Sequence, residues 1–207
     1  MADPSDLEQL RQALADGRRR FAGLQLRDLD AVDLDLSSCD LQGSCFQAGR
    51  FGRARLRGAQ LQRCGFQQAL LWGADLSAAA AAGSFWQEAD LSGSRLQGAD
   101  FSGALLHRCC LRGVLAAGSR WRDARLVEAD FRSGLDQLTD LGGSDFRGAD
   151  LSFCLLQGVQ LQAADLRGAC LYGADLRQAD LRDCDLRDCC LEGTLLEGAQ
   201  LPSGSQP

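Results

Sequence analysis

The chain has 207 residues, of which 45% are hydrophobic and 24% are charged, with a formal net charge of −6, 24 glycines and only 3 prolines. This composition is typical of a folded protein, and the acidic balance disfavours nucleic acid as a partner because phosphate binding depends on Lys and Arg. An apolar run of about 18 residues is missing and the N-terminus is acidic, so we expect a cytoplasmic protein without a membrane segment or signal peptide.

The first 20 residues are predicted to form a helical cap. A capping-box pattern begins at Ser5 and ends at Glu8, and Gly17 is a stop signal. A helix from about Asp6 to Ala15 is therefore expected to lie across the start of the following domain. The apolar face of this helix comprises Leu7, Leu10 and Leu14.

Residues 21–201 carry a strict five-residue period. Every fifth position, here called an anchor, is Leu, Phe or Trp with four exceptions, in one register without insertion or deletion. From Cys39 to Ala199 the position two residues before each anchor is always small. A period of five fits neither an amphipathic helix nor a flat strand, so it predicts a repeat architecture. Four anchors depart from the pattern: Ala31, Ala81, Ala116 and Asp136.

Several repeats resemble the A(D/N)LXX motif of the pentapeptide repeat family, and the match covers about nine-tenths of the chain. The resemblance implies an all-β solenoid, a right-handed quadrilateral parallel β-helix in which four pentapeptides form one square coil. Residues twenty apart are then expected to stack at a strand spacing of about 4.8 Å, in about nine coils. The clearest matches are residues 149–153, 164–168, 174–178 and 179–183.

Both the anchor and the small residue before it are expected to point into the tube, while the residues between and after them face water. The predicted core is rich in aromatic residues, which we interpret as packing and not as a cofactor site. In the first coil the small position holds leucine, which suggests a coil distorted to receive the helix. One stacked column is predicted to contain Phe46, Phe66, Trp86, Leu106, Leu126 and Phe146, and the leucines of the first coil are Leu24, Leu29 and Leu34.

No catalytic, cofactor or metal site is predicted. The aspartates recur at one outward position, which is typical of a solvated face, and the chain has no Lys and a single His, His107. Six of the ten cysteines occupy the small position, where cysteine behaves as a small hydrophobe. The paired cysteines Cys109 and Cys110 cannot readily chelate a metal, because adjacent residues in an extended chain point to opposite faces. We therefore expect a protein that is not an enzyme.

An interaction surface is the preferred functional hypothesis. Three positions just before an anchor are apolar at intervals of twenty, which predicts an exposed ridge over three consecutive coils. Because burying Asp136 would be unfavourable, residues 134–138 are predicted to bulge. Alternatively, Leu135 or Leu138 turns inward and replaces Asp136, which would shrink the ridge. The ridge consists of Leu115, Leu135, Leu138, Phe153 and Leu155.

The family resemblance implies an alternative function, the protection of DNA gyrase or topoisomerase from quinolones by mimicry of duplex DNA. Against it, Asp145, Asp165 and Asp185 are predicted to stack beside a parallel ladder of arginines, which would neutralise that face. The unbroken period and the C-terminal composition also leave no counterpart to the loops and dimerisation helix of the gyrase protectors. The arginine ladder comprises Arg147, Arg167 and Arg187.

Two further features lie towards the C-terminus. Cys170 and Cys190 are predicted to stack on the outer surface beside Tyr172, either with a redox role or as reduced surface thiols. Residues 202–207 are expected to be a disordered tail that leaves the last coil open. The open mouth is predicted either to form a homodimer or to fray. It is lined by Leu191, Leu196 and Leu201.

Overall fold

A computed structural model describes residues 3–203. The one helix of this part of the chain, α1, spans Leu7–Ala15. Its N-cap is Asp6, one residue later than the sequence pattern predicts, because the Asp6 side chain accepts the backbone N–H of Gln9 at 2.9 Å. Leu10 of α1 is fully buried in the same core as the repeats, so the helix packs against the first coil.

The rest of the described chain is a solenoid of short turns linked by single-residue parallel β-bridges. The first bridges pair residues twenty apart, as in Arg20 with Asp40. No continuous strand forms among residues 3–203, so the solenoid lacks the extended strands that the term all-β implies. Continuous strands do not form because the backbone turns a corner two residues after each anchor. The backbone there is left-handed, with φ of 67° at Gly43 and 58° at Phe153, so each wall is too short for a strand.

The core lies along the axis of the solenoid and consists of anchors and small residues, as predicted. Trp86 and Trp121 are both fully buried, and serines at small positions satisfy their ring N–H groups. Trp86 Nε1 donates to Ser84 Oγ at 2.5 Å, and Trp121 Nε1 donates to Ser119 Oγ at 2.6 Å. In both tryptophan repeats the small position therefore supplies the hydroxyl that satisfies the buried ring N–H.

One coil is five residues longer than the others. Leu115 pairs with Asp140, and the following three bridges also join residues twenty-five apart, before the twenty-residue spacing returns at Asp140 with Gln160. The extra residues leave the wall as a loop, which we call the looped-out segment, residues 132–138. Asp136 lies within it and is exposed. The bulge predicted around Asp136 is thus present, whereas the uniform stacking of residues twenty apart is wrong across this coil.

The longer coil rearranges the aromatic core. Phe46, Phe66 and Trp86 stack in one column as predicted, with ring centroids 5.2 and 4.4 Å apart. Phe146 does not join that column. It stacks on Trp121 at 5.8 Å, because every repeat after the looped-out segment sits one wall away from its expected position.

Candidate interaction surfaces

The looped-out segment is held at its base by hydrogen bonds and is open at its tip. Gly134 N–H donates to the Gln137 carbonyl at 2.8 Å, and the Gln137 side-chain amide donates to the Gly113 carbonyl. Thr139 Oγ1 accepts the Gly113 N–H at 2.8 Å and donates to the Arg132 carbonyl at 3.1 Å. These hydrogen bonds hold both ends of the segment against the wall. The projection of the segment into solvent is therefore held by specific contacts.

Two leucines project from this segment into solvent. The relative exposure of Leu135 is 101% and that of Leu138 is 56%. Neither has turned inward to replace Asp136, so that alternative is wrong. A groove of about 600 Å³ separates the segment from the wall, and charged side chains of Arg112 and Asp136 line it beside Cys110. Leu135 itself also lines this groove, so the segment displays an apolar side chain beside a groove of mixed polarity.

The predicted ridge is not assembled. Leu115 pairs with Asp140, while Leu155 pairs with Asp130 and Asp175, so the two leucines lie on different walls and are half-buried. The premise that Leu115, Leu135 and Leu155 stack is wrong because the chain skips five residues between them. Of the predicted ridge residues, only Leu135 and Leu138 share one surface element.

Phe153 belongs to a separate aromatic surface. It is 50% exposed and packs edge-on against the ring of Tyr172, with centroids 5.3 Å apart. Cys170 lies two residues before Tyr172 and pairs directly with Cys190 of the next coil, so the predicted stacking of these two cysteines is confirmed. Cys190 is exposed and Cys170 is half-buried.

A second exposed aromatic surface was not predicted. Leu70 and Trp72 are 41% and 38% exposed on one wall, and the guanidinium of Arg53 lies 5.0 Å from the centroid of the Trp72 ring. The ring lies over Gly52, where a side chain would collide with it. The sequence signal was present, since Leu70 and Trp72 flank the anchor Leu71 and both are apolar at normally polar positions.

Ion pairs connect the coils after the looped-out segment, as the charge pattern predicts. Arg147 Nη2 lies 2.7 Å from Asp145 and its Nε lies 3.3 Å from Asp165 of the next coil, and Arg167 repeats this arrangement with Asp165 and Asp185. Hydrogen bonds from arginine lower the pKa of Asp185 to about 2. Each carboxylate on this wall is thus neutralised by a neighbour.

Buried cysteines act as small hydrogen-bond donors. The thiol of Cys64 donates to the Leu41 carbonyl at 2.9 Å, and that of Cys109 donates to the Trp86 carbonyl at 2.7 Å. Burial raises the pKa of the Cys64 thiol to about 12. These thiols are inert parts of the core. In residues 3–203 no three His, Cys, Asp or Glu side chains are grouped so as to hold a metal ion.

The end of the solenoid opposite α1 is open as far as Ser203. A cavity of about 490 Å³ is bounded there by Leu181 and Leu186 and by the three leucines predicted for the mouth. Leu191 is 38% exposed, and Leu196 and Leu201 are half-buried. Residues 204–207 of the predicted tail lie outside the described part of the chain. No described helix is both long and apolar enough to cross a membrane.

Comparison with solved structures identifies HetL, a pentapeptide repeat protein involved in heterocyst differentiation regulation in the cyanobacterium Nostoc sp.. The two chains are 27% identical, the match covers 98% of this chain and 99% of HetL, and the TM-score is 0.69. QnrB1, a plasmid-mediated fluoroquinolone resistance protein, is 20% identical over 87% of this chain and 90% of its own, with a TM-score of 0.35. No curated protein matches the chain.

The family model for pentapeptide repeats matches residues 35–73, 73–108, 144–183 and 160–198, with 8 copies. The matched ranges stop on either side of the coil that contains the looped-out segment. Together they span more than half of the sequence, and the solenoid geometry agrees with them. The chain belongs to the pentapeptide repeat family.

Proposed function

We propose that the protein is a non-enzymatic protein–protein interaction scaffold that binds its partner through the looped-out segment. In this proposal the repeats form a right-handed quadrilateral β-helix of about nine coils, capped by α1 and acting in the cytoplasm. The observation that carries the proposal is the full exposure of Leu135 at the tip of a segment whose base is hydrogen-bonded to the wall. An exposed apolar side chain on a rigid support is a typical anchor of a protein interface.

The likeness to HetL supports a binding role. HetL is described as acting in the regulation of a differentiation process, and the two chains match over almost their full lengths. Because the core is filled and no wall is concave, a partner would bind to the outer surface. The looped-out segment is the main irregular feature of that surface.

The experiment compares a deletion with a double substitution. Deleting residues 134–138 joins Ser133 to Thr139 and leaves the five-residue period intact, so we expect a folded, uniform solenoid. Leu135→Ala with Leu138→Ala keeps the segment but removes its apolar tip. Each protein is immobilised and exposed to a lysate of its source organism, and the bound proteins are measured by quantitative mass spectrometry. Both variants should fail to bind a partner that the unmodified protein retains.

The matched control is Leu70→Ala, which removes an equally apolar, 41% exposed leucine that lies two coils before Cys110 on the same wall and outside the groove beside the segment. This variant should retain the partner. Recovery of the same partner by the deletion variant, with circular dichroism showing that it is folded, would overturn the proposal.

Gyrase protection is the alternative function. The looped-out segment weakens one argument against it, since the solenoid does carry a loop. The ion pairs between Arg147, Arg167 and the aspartate ladder still oppose it, because a mimic of DNA requires uncompensated negative charge. A supercoiling assay with gyrase and a fluoroquinolone separates the two functions: unchanged inhibition at excess protein dismisses this alternative without affecting the scaffold proposal.

The open mouth supports a homodimer as a second proposal about assembly. Its leucines are accessible in the described residues and line a cavity of about 490 Å³. A second copy placed mouth to mouth would bury them. Sedimentation equilibrium should show a dimer that Leu191→Arg converts to a monomer. A monomer at all concentrations would exclude this arrangement.

A further inference from the structure

We infer that Cys170 and Cys190 form a thiol-oxidation site, in which a hydroperoxide converts the two thiols into a disulfide that fastens the last described coil to the one before it. Among the cysteines of residues 3–203, these are the two that a β-bridge pairs directly with each other. This inference concerns a different wall from the looped-out segment and is independent of the proposed function.

Backbone geometry places the two residues within disulfide range. Paired residues on neighbouring parallel strands lie about 4.8 Å apart, inside the Cα separation of about 4.4–6.8 Å that disulfides adopt. The pairing is held from both sides, because Leu171 N–H donates to the Cys190 carbonyl at 2.8 Å and Cys190 N–H donates to the Ala169 carbonyl at 3.0 Å. The Cβ atoms of residues paired in register also lie about 4.8 Å apart, somewhat beyond the separation of about 3.5–4.5 Å in disulfides, so a small approach of the two coils and side-chain rotation bring the sulfurs together.

Ser152 holds the thiol of Cys170 away from this partner. Ser152 Oγ lies 2.6 Å from Asp150 Oδ1 and 3.3 Å from Cys170 Sγ. The carboxylate of Asp150 can only accept, so it takes the single hydroxyl proton, and the thiol of Cys170 donates to Ser152 Oγ. Ser152 belongs to the preceding coil, on the side of Cys170 opposite to Cys190. In the reduced state, the hydrogen bond between Cys170 Sγ and Ser152 Oγ must therefore break before the disulfide forms.

Cys190 is the residue that meets the oxidant first, because it is exposed whereas Cys170 is half-buried. Its thiolate attacks one oxygen of hydrogen peroxide, an S–O bond forms, the O–O bond breaks, and hydroxide leaves and takes up a proton as water. The sulfur of Cys170 then attacks the sulfenic sulfur of Cys190, the S–S bond forms, and the S–O bond breaks. The hydroxyl group departs with the Cys170 proton as a second water, so two thiols and one peroxide yield one disulfide and two waters.

The position of the pair gives the bond a structural effect. The coil that contains Cys190 stacks on a neighbour on one side, and the other side faces the open mouth in the described residues. Such a terminal coil opens more easily than the interior of a repeat array. A covalent link to the preceding coil restricts that opening without changing the core.

The experiment treats the full chain with one equivalent of hydrogen peroxide, alkylates the remaining thiols and maps the peptides without reduction. We expect one intramolecular link between Cys170 and Cys190, with half-buried Cys45 still alkylated. Hydrogen exchange at Leu171 and Leu195, whose N–H groups bond to neighbouring coils, should slow on the order of 10-fold to 100-fold in the oxidised protein. Cys170→Ser should abolish both effects.

Ser152→Ala supplies the positive test, because it frees the Cys170 thiol and should accelerate disulfide formation. Ser102→Ala is the matched control, since Ser102 makes the same 2.6 Å contact with Asp100 on another wall and should not change the rate. Sulfinic acid at Cys190 alone, a disulfide between two molecules, or an equal rate with Ser152→Ala and Ser102→Ala would each overturn the inference.

Discussion

The repeat around Leu96 and the repeat around Asp136 occupy equivalent places in the five-residue period, but the first lies in the wall of the solenoid and the second lies outside it. Leu96 is fully buried, its N–H donates to the Leu115 carbonyl of the next coil, and the N–H of the adjacent Arg95 donates to the Ala74 carbonyl of the preceding coil. Asp136 is exposed, and its repeat lies outside the wall. The difference shows that the period alone does not place a repeat in the solenoid. The anchor must also be able to enter an apolar tube.

The energetic reason is the desolvation of a carboxylate. A buried, unpaired Asp136 would be unfavourable by several kcal/mol or more, whereas excluding a short loop from the wall is a modest entropic penalty. The chain therefore leaves out one complete pentapeptide, and Leu141 takes the next core position, where it is fully buried. Removing a whole repeat keeps every later anchor pointing inward.

The largest expected effect contrasts the two repeats directly. Leu96→Asp places a charge in the core and should unfold the protein or reduce the free energy of unfolding by more than about 4 kcal/mol. Leu135→Asp changes a fully exposed side chain and should stay within about 0.5 kcal/mol. Urea denaturation followed by circular dichroism measures both. Similar losses in the two variants would show that the looped-out segment is structural.

A smaller effect is expected from the hydrogen bonds of the regular repeats. Ser84→Ala leaves the ring N–H of buried Trp86 without its partner and should decrease the free energy of unfolding by about 1–3 kcal/mol. Ser133→Ala, in the looped-out segment, is the control and should be close to neutral. Thermal unfolding followed by tryptophan fluorescence distinguishes them, and an unchanged midpoint for Ser84→Ala would contradict the assigned role.

Deletion of residues 134–138 should be tolerated. The shorter connection between Ser133 and Thr139 restores a twenty-residue coil, and we expect the free energy of unfolding to rise by no more than about 1 kcal/mol. Calorimetry measures this change. A large loss of stability would indicate that the hydrogen bond from the Gln137 side chain to the Gly113 carbonyl holds the neighbouring coil together.

The smallest expected effect is the pH dependence of the surface ladder. The folded pKa of Asp185 is about 2, below its ordinary value of 3.8, so its stabilising contribution is present above pH 3.8 and is lost as the pH falls towards 2. Arg187→Ala removes the first cause of the shift and should raise this pKa. Carboxyl titration by NMR tests the change, and an unaltered pKa would mean that the arginine is not responsible.

Local features were predictable from the sequence to the extent that they depend on neighbouring residues. The period identified the inward positions, and Trp86, Phe101 and Trp121 are buried as expected. The helix was predicted to within a residue of its start, and Asp6 is the N-cap in place of Ser5 because its side chain accepts the Gln9 backbone N–H. The exposed Leu70 and Trp72 do not recur at intervals of twenty, where Arg50 and Asp90 flank Leu70, so they form no ridge that the repeat pattern would reveal.

By itself, the sequence determined which side chains face the core, because a five-residue period fixes the direction of every side chain locally. Which repeats stack on one another was decided only by the tertiary structure. Leu115 satisfies the local pattern equally well beside Leu135 or beside Asp140, and its true partner, Asp140, depends on whether Asp136 enters the core. The outcome depends on which is less favourable in free energy, the desolvation of one carboxylate or the exclusion of five residues from the wall. Because the five residues are excluded, every later repeat lies on the next wall of the solenoid.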